Sequence, residues 1–207
     1  MARFTPHANL FGVKAKADEG QDDGRDLPKP HRLKIDARRV AGIAEAKAVL
    51  DHLPGPGESL HAVCTARMDL TDVINCVLDR AGACDRMAIT TLGYNARNLK
   101  AMLGWLDSGR VRTLTLLTSI FFRSHKGALW EETLAEFHAR NQRAAACHSH
   151  CKVVAMAFAD GGRLCIEGSA NLCGNGSGRE QFALINDPGL TDWHAAWINA
   201  LAAKHGA

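Results

Sequence analysis

The sequence predicts an α/β fold in which helices flank a central mixed sheet. Short apolar and β-branched runs alternate with amphipathic helical stretches along most of the chain, as in an α/β sandwich. Near the end, two such runs are joined by the hairpin-like turn Ala159-Asp-Gly-Gly162, which adds an antiparallel pair to the expected sheet. The length of 207 residues suits one domain of ordinary size with an appendage.

The appendage is predicted at residues 1–57, as a partly extended or disordered N-terminal arm with one helix. Its first 34 residues are rich in Asp, Glu, Lys, Gly and Pro and lack steady periodicity. Residues 36–53 place Ile43 and Leu50 along one apolar stripe and are predicted to be helical. The run Pro54-Gly-Pro-Gly57 then breaks the chain, so the compact domain is expected at residues 58–207.

Elements of the compact domain follow from their apolar pattern and from the residues that end them. Residues 60–65 are predicted as a buried strand, and the β-branched run 111–118 is typical of an interior strand. Thr191 or Asp192 is expected to cap the closing helix. The further predicted strands are 87–92, 152–158, 163–167 and 181–186, and the predicted helices are 70–80, 95–107, 129–143 and 191–204.

Composition is that of a soluble globular protein, with 46% hydrophobic and 23% charged residues. A net charge of +3 does not by itself indicate a nucleic-acid binder, although a local basic groove is compatible with it. No apolar run approaches the roughly 20 residues that span a bilayer, and no secretory signal opens the chain. We therefore expect a cytoplasmic protein whose seven cysteines are reduced.

Three polar groups of the segment 147–187 stand at strand ends. They are His150-x-Lys152, Gly168-Ser-Ala-Asn171 and Glu180. The first begins a predicted strand, the second follows the next strand, and the third begins a further one. Because ends of adjacent strands lie together, we expect the three groups to converge, with Gly168 allowing a close backbone turn beside a bound phosphate.

Such a set supports phosphodiester cleavage without a metal. The His150 imidazole can attack phosphorus and form a phosphohistidine. Lys152 is a compact cation suited to phosphate oxygens, and the Asn171 amide and Ser169 hydroxyl can donate to oxygens of the transition state. A carboxylate such as Glu180 can hold the nucleophilic ring in the required tautomer.

The order of these groups resembles the HxK…GSxN…E signature of the phospholipase D superfamily, and the resemblance covers residues 59–204. In that family two such motifs face each other, from one long chain or from two identical short chains, and one His attacks while the other protonates the leaving group. The single motif here implies a homodimer with the site at its two-fold axis, and no metal or cofactor. The catalytic residues that the resemblance implies are His150, Lys152, Ser169, Asn171 and Glu180.

The chain departs from the family pattern at one position. The family motif continues as HxKxxxxD, and the position of its Asp is Ala157 here. Asp160 lies three residues later in a predicted turn and is not expected to replace it. Because some members that cleave DNA-linked phosphodiesters also lack this Asp, activity is compatible with Ala157, and a degenerate inactive copy is the alternative.

A second cationic segment offers candidate substrate contacts. Arg123, His125 and Lys126 follow Phe121 and Phe122 near a strand end, and could line a groove for phosphates or stacked bases. The alternative is a solvated loop beside core phenylalanines. With Gly168, these three polar residues are the predicted substrate-binding set.

Short single-motif members of the family that dimerise most resemble nucleases. The resemblance therefore implies a metal-independent endonuclease that cleaves DNA through a phosphohistidine. The alternatives are a phospholipase or phosphatidyl transferase of the same superfamily, a catalytically silent DNA-binding dimer, and a zinc module built on the thiols between Cys147 and Cys173. The zinc module is disfavoured because Cys147 and Cys151 on an extended strand do not converge with the histidines between them.

Overall fold

The computed structural model describes residues 37–65, 68–174 and 178–206. Most of the predicted N-terminal arm lies outside these ranges, so the boundary at residues 57 and 58 stays a prediction. The described strands are β1 Ser59–Thr65, β2 Cys84–Thr91, β3 Val111–Ser119, β4 Arg143–Cys147, β5 Val153–Phe158, β6 Arg163–Gly168 and β7 Arg179–Ile185. The described helices are α1 Ala37–Val49, α2 Leu70–Ala81, α3 Ala96–Asp107, α4 Ile120–His125, α5 Gly127–Ala139 and α6 Pro188–His205.

The seven strands form one mixed sheet in the order β1-β7-β6-β5-β2-β3-β4. Strands β2, β3 and β4 are parallel, while β5, β6, β7 and β1 pair with antiparallel neighbours. The prediction of an α/β fold with a mixed sheet is therefore confirmed. This topology brings the carboxyl ends of β1, β2, β3, β4 and β6 and the amino ends of β5 and β7 to one edge, which we call the site edge.

Helices cover both faces of the sheet. Helix α6 crosses one face and packs on β2 to β6, where Ile198 and Ala202 meet the small side chains of Ala88, Ala145 and Ala155. The other face carries the larger core, to which α2, α3 and α5 contribute residues such as Ile74, Met102 and Phe137. Helix α1 packs on α2 and β1, and its Ala46 is fully buried.

Helix α6 is fixed to the sheet by a polar contact as well as by its apolar face. His194 Nε2 lies 2.5 Å from Glu167 Oε1 of β6, and Trp197 Nε1 donates to His194 Nδ1 at 3.0 Å. Since the indole can only donate, the Nδ1 atom accepts and the imidazole proton lies on Nε2, facing the carboxylate. Asp187, rather than Thr191 or Asp192, caps this helix by accepting from Leu190 N at 2.8 Å.

Strands β1 and β4 and the end of helix α5 differ from the sequence predictions. Strand β1 is an edge strand in which Val63 is 68% exposed, so the prediction that it is buried was wrong. Strand β4 was missed, because its Arg-Ala-Ala-Ala-Cys run has little β propensity and is held by pairing with β3. It begins after Asn141 takes a left-handed conformation (φ 54°) that ends α5 early.

The segment after β3 is a helix, not a loop. Ser119 caps α4 by accepting from Phe122 N at 2.9 Å, and Phe122 is buried against the core. None of the helices in the described ranges is both long and apolar enough to cross a membrane.

Candidate active site

The three predicted polar groups converge at the site edge. Gly168 N donates to Lys152 O at 3.3 Å, which joins the start of β5 to the end of β6. Ser169 N donates to Gln181 O at 3.0 Å, which joins the end of β6 to the start of β7. The two connections place the segments 150–152, 168–171 and 180–181 side by side, as expected from their positions at strand ends.

Gly168 is needed for the approach of two strands. A Cβ atom at this position would lie 2.3 Å from Gln181 O and 2.8 Å from Phe182 Cα, both backbone atoms of β7. Any larger residue would therefore push β7 away from β6. The sequence-based prediction attributed this glycine to a turn beside the phosphate, whereas the close neighbour in the structure is the backbone that carries Glu180.

His150 and Lys152 lie in the connection between β4 and β5. His150 is exposed, and Lys152 Nζ donates to its Nδ1 atom at 3.1 Å and to its carbonyl oxygen at 2.9 Å. Since an ammonium group can only donate, Nδ1 accepts, and the proton of a neutral ring is then on Nε2. Partial burial lowers the pKa of Lys152, and the negative charge of Glu180 opposes this shift.

The Ser169 hydroxyl connects the second and third groups. Its oxygen donates to Glu180 Oε2 and accepts from Gln181 N, the latter at 3.1 Å. The single hydroxyl proton is thereby directed to the carboxylate rather than towards the open side of the site edge. In this arrangement Ser169 orients Glu180 at the start of β7.

Asn171 is held in one orientation by its acceptor atom. Its Oδ1 accepts from Leu92 N at 3.2 Å and lies 3.5 Å from Thr91 Oγ1. Because a backbone N–H can only donate, the side-chain atom that faces Leu92 must be oxygen. The two N–H groups of the amide are therefore turned away from the end of β2.

A buried network behind the turn 168–174 was not found by sequence reasoning. The Asp69 carboxylate, 2% exposed, accepts from Gly174 N at 2.8 Å, from Arg97 Nη2 at 2.8 Å and from Asn98 Nδ2 at 3.3 Å. Asn98 Nδ2 also lies 3.2 Å from Leu172 O, and Leu172 N donates to Thr91 Oγ1 at 3.3 Å. These residues precede the turn by 70 or more positions, so no local pattern relates them to it.

The second cationic segment borders the same edge. His125 and Lys126 line a cavity of about 210 Å³ together with Phe121 and Asn171, whereas Arg123 lies exposed on α4 outside its lining. Of the predicted substrate-binding residues on this segment, His125 and Lys126 therefore lie beside Asn171, and Arg123 does not. Their role in binding stays a prediction.

Ala157 lies far from these groups. It is five positions along β5 from Lys152, or about 16 Å at the rise of an extended strand. Its side chain lines a second cavity of about 360 Å³ beneath α6, with Arg86 and Thr191 in the wall. Asp160 accepts from Gly162 N at 2.9 Å in the turn that follows, so it stabilises the hairpin.

The cysteines near the site edge differ in their exposure to solvent. Cys147 is buried at the end of β4 and Cys151 is exposed in the connection. Burial raises the pKa of the Cys147 thiol and, further along the chain, of the Cys173 thiol. Within the described ranges, no three His, Cys, Asp or Glu side chains are grouped so that they could hold a metal ion.

Comparison with known proteins shows which fold this architecture resembles. No protein-family model and no curated protein matches the sequence. Among solved structures, the phospholipase D family member Nuc from Salmonella typhimurium matches with a TM-score of 0.52 and 14% identity, over 72% of this chain and 97% of Nuc. The chain has the fold of the phospholipase D superfamily.

Two further solved structures match with lower TM-scores. NucT from Helicobacter pylori has a TM-score of 0.48 and 12% identity, over 72% of this chain and 99% of NucT. Phosphatidylserine synthase from Haemophilus influenzae Rd KW20 has a TM-score of 0.48 and 12% identity, over 73% of this chain and 40% of the synthase. This chain therefore spans less than half the length of that synthase.

Proposed function

We propose that this protein is a metal-independent nuclease that cleaves DNA through a phosphohistidine at a homodimer interface. The observation that carries the proposal is the exposed His150 with the Lys152 ammonium 3.1 Å from its ring, at the same edge as an Asn171 amide whose N–H groups are turned away from Leu92. A nucleophile, a cation and neutral donors thus stand at one edge of the sheet. This combination supports attack on a phosphodiester and stabilisation of the charge that develops.

The chemical step needs two histidines. His150 Nε2 of one subunit attacks phosphorus, the bond to the leaving oxygen breaks, and that oxygen takes a proton from His150 Nε2 of the second copy. Water then attacks the phosphohistidine, gives its proton to the imidazole of the second copy, and releases the phosphate product and the free ring. Since each chain supplies one His-x-Lys motif, two copies are required to complete the site.

Neither role in the proposed reaction uses the resting contact between Lys152 and Nδ1 unchanged. The proton-donating ring would be an imidazolium with protons on both nitrogens, because a neutral ring would have to become an imidazolate to release its Nε2 proton, and its Nδ1 would then no longer accept from Lys152. For the attacking ring, the phosphate itself would draw Lys152 away, because an anion is a stronger partner for an ammonium than a neutral nitrogen. Nδ1 would then be free to carry the proton, directed towards a carboxylate such as Glu180, and Nε2 could attack.

The other predicted residues would position this centre. Ser169 holds the Glu180 carboxylate, and Gly168 allows β7 to approach so that the carboxylate reaches the edge. The Asp69 network holds the backbone on either side of Leu172, and with it the turn that carries Asn171. Ala157, about 16 Å away along β5, would supply no group to the phosphate even if it were a carboxylate.

The test is cleavage of plasmid and single-stranded DNA in EDTA. We expect the wild-type protein to cut both, and His150→Ala to lose the activity. His148→Ala is the matched control, because it removes an exposed histidine from the same connection. Denaturing quench during turnover should trap a protein–phosphate adduct that is stable in alkali and labile in acid, as expected of a phosphoramidate.

Three outcomes would contradict the proposal. Cutting that requires magnesium would exclude the metal-free mechanism. Retained cutting by His150→Ala would exclude the nucleophile. DNA binding without cutting by a folded dimer would favour a silent binding protein, and release of choline from phosphatidylcholine vesicles without DNA cleavage would favour a lipid-directed enzyme.

A further inference from the structure

Helix α4 exposes an aromatic side chain next to the candidate active site. Phe121 and Phe122 are neighbours, but Phe122 is 5% exposed and stacks on the buried Tyr94, whereas Phe121 is 61% exposed. An exposed phenylalanine gains nothing from the core and loses free energy by contact with water. Since single exposed apolar residues are common on protein surfaces, what distinguishes Phe121 is the ring stacked on it and the cavity that it lines.

The exposed ring is held in a defined orientation. The Phe121 ring stacks on the His125 ring with centroids 3.9 Å apart and an angle of 30°. His125 Nδ1 lies 2.8 Å from Phe121 O, and since a carbonyl only accepts, Nδ1 carries the proton of this hydrogen bond. We call the two rings the α4 platform. Because both rings are fixed before binding, less side-chain entropy would be lost when a ligand stacks on them.

The platform opens onto Asn171. Phe121 and His125 line the cavity of about 210 Å³, whose other lining residues include Leu92, Lys126 and Asn171. The apolar part of the cavity thus adjoins two polar groups. One is the Lys126 ammonium at the end of α4, and the other is the Asn171 amide, which is proposed to contact the scissile phosphate. A ligand that fills it must carry a flat or apolar group close to a phosphate.

We propose that the α4 platform and this cavity bind an unpaired nucleobase adjacent to the scissile phosphate, which makes unpaired DNA the preferred substrate. The inference rests on the proposed nuclease function and names its substrate class. A base presents a π-face to a stacked aromatic pair in any sequence, and the neighbouring phosphate would lie near Lys126. In a duplex the same face is covered by the next base pair, so paired DNA cannot enter without unstacking.

A fatty acyl chain is the other apolar group attached to a phosphodiester. It needs an extended apolar channel, whereas this cavity is a short hollow that includes Lys126, His125 and Asn171 in its lining. Stacked planar rings also favour a planar ligand over a flexible chain. The observations therefore favour a base.

The experiment measures binding in EDTA by fluorescence anisotropy, in a His150→Ala background that prevents cleavage. The probes are a labelled oligothymidylate, an abasic strand of the same length, and a duplex. Phe121→Ala is expected to weaken oligothymidylate binding about 5- to 150-fold, the range for loss of one base–aromatic stack, and to leave abasic binding unchanged. Phe121→Trp should retain the affinity.

Trp193→Ala is the matched control, since Trp193 is a similarly exposed aromatic residue (62%) on α6 that does not line the cavity. The proposal is overturned if Phe121→Ala leaves oligothymidylate binding unchanged, or weakens oligothymidylate and abasic strands equally. It is also overturned if Phe121→Ala reduces binding to phosphatidylcholine vesicles instead. Wild-type cleavage of single-stranded DNA is measured separately: base-dependent binding without cleavage would contradict the nuclease function and leave the base subsite standing.

Discussion

At the scale of single residues, the contact between Lys152 and His150 couples the charge of the lysine to the position of the proton on the imidazole ring. As an ammonium, Lys152 can only donate to the ring nitrogen, whereas a neutral amine would also have a lone pair and could accept. Partial burial lowers the pKa of this ammonium from the ordinary value of 10.5. The charge that would bind phosphate is therefore lost at a lower pH than for a free lysine.

This shift predicts the alkaline limb of the pH–rate profile. The protonated form is present below the pKa, so the cleavage rate of single-stranded DNA should fall with rising pH at a midpoint below 10.5. Lys152→Arg should move this limb upward, because a guanidinium stays charged throughout the range, although its planar shape would lower the maximal rate. An unchanged limb in Lys152→Arg would assign it to another group.

The motif residues were recognisable from the sequence, but the orientation of their side chains was not. His150, Lys152, Asn171 and Glu180 stand in a pattern that indicates their type of chemistry. That the Asn171 amide turns its oxygen to β2 and its N–H groups away from it depends on Leu92 N, 79 positions away, and no spacing rule predicts this contact. Likewise, the direction of the Ser169 hydroxyl towards Glu180 follows only from the pairing of β6 with β7.

At the scale of elements, the turn 168–174 depends on α2 and α3. Asp69 precedes α2 and Asn98 belongs to the first turn of α3, and together they hold the backbone of Leu172 and Gly174. The ends of two helices thus fix the loop that presents Asn171. This arrangement links the stability of the helix ends to the geometry of the site edge.

Asp69→Ala tests this link. The substitution leaves the buried Asn98 amide and the Gly174 N–H short of an acceptor, so we expect a loss of about 2 kcal/mol in the free energy of unfolding. Cleavage should fall as well, although no group proposed to contact phosphate has changed. Urea denaturation and initial rates measure the two effects.

Asp79→Ala is the control for Asp69→Ala, because the Asp79 carboxylate pairs with Arg110 at the surface and its side chain is 58% exposed. Its loss should change stability by less than about 1 kcal/mol and leave the rate unaltered. A fully active Asp69→Ala protein of normal stability would show that the turn holds its shape without the network.

Element prediction succeeded where a strand or helix has its own pattern. The β-branched run 111–118 became the interior strand β3, and the amphipathic stretch 70–80 became α2. It failed at β4, whose three alanines carry no strand signal and are ordered by the neighbouring β3. It also failed at α4, a helix of six residues that depends on one cap and one buried phenylalanine.

At the scale of the whole molecule, one His-x-Lys motif per chain would make the assembly of two copies part of the proposed mechanism. If two copies of His150 are needed, activity per subunit should fall as the protein is diluted through the dissociation constant of the dimer. Mixing wild type with excess His150→Ala should depress activity further by forming mixed dimers. Analytical ultracentrifugation over the same concentrations measures the dimer fraction, and a specific activity that does not depend on concentration or on mixing would indicate that one chain suffices.

The family motif HxKxxxxD includes residues from two separate places in this structure, namely the site edge and the position of Ala157 beside the cavity beneath α6. The first residues of the family pattern mark the edge where a phosphate would lie, whereas its last residue marks packing at the opposite end of β5, beside a cavity of about 360 Å³. In this chain, position 157 therefore bears on the packing beneath α6 and not on the site edge. The residue at this position and the chemistry proposed for the site edge can vary independently, so Ala157 does not by itself argue against the proposed activity.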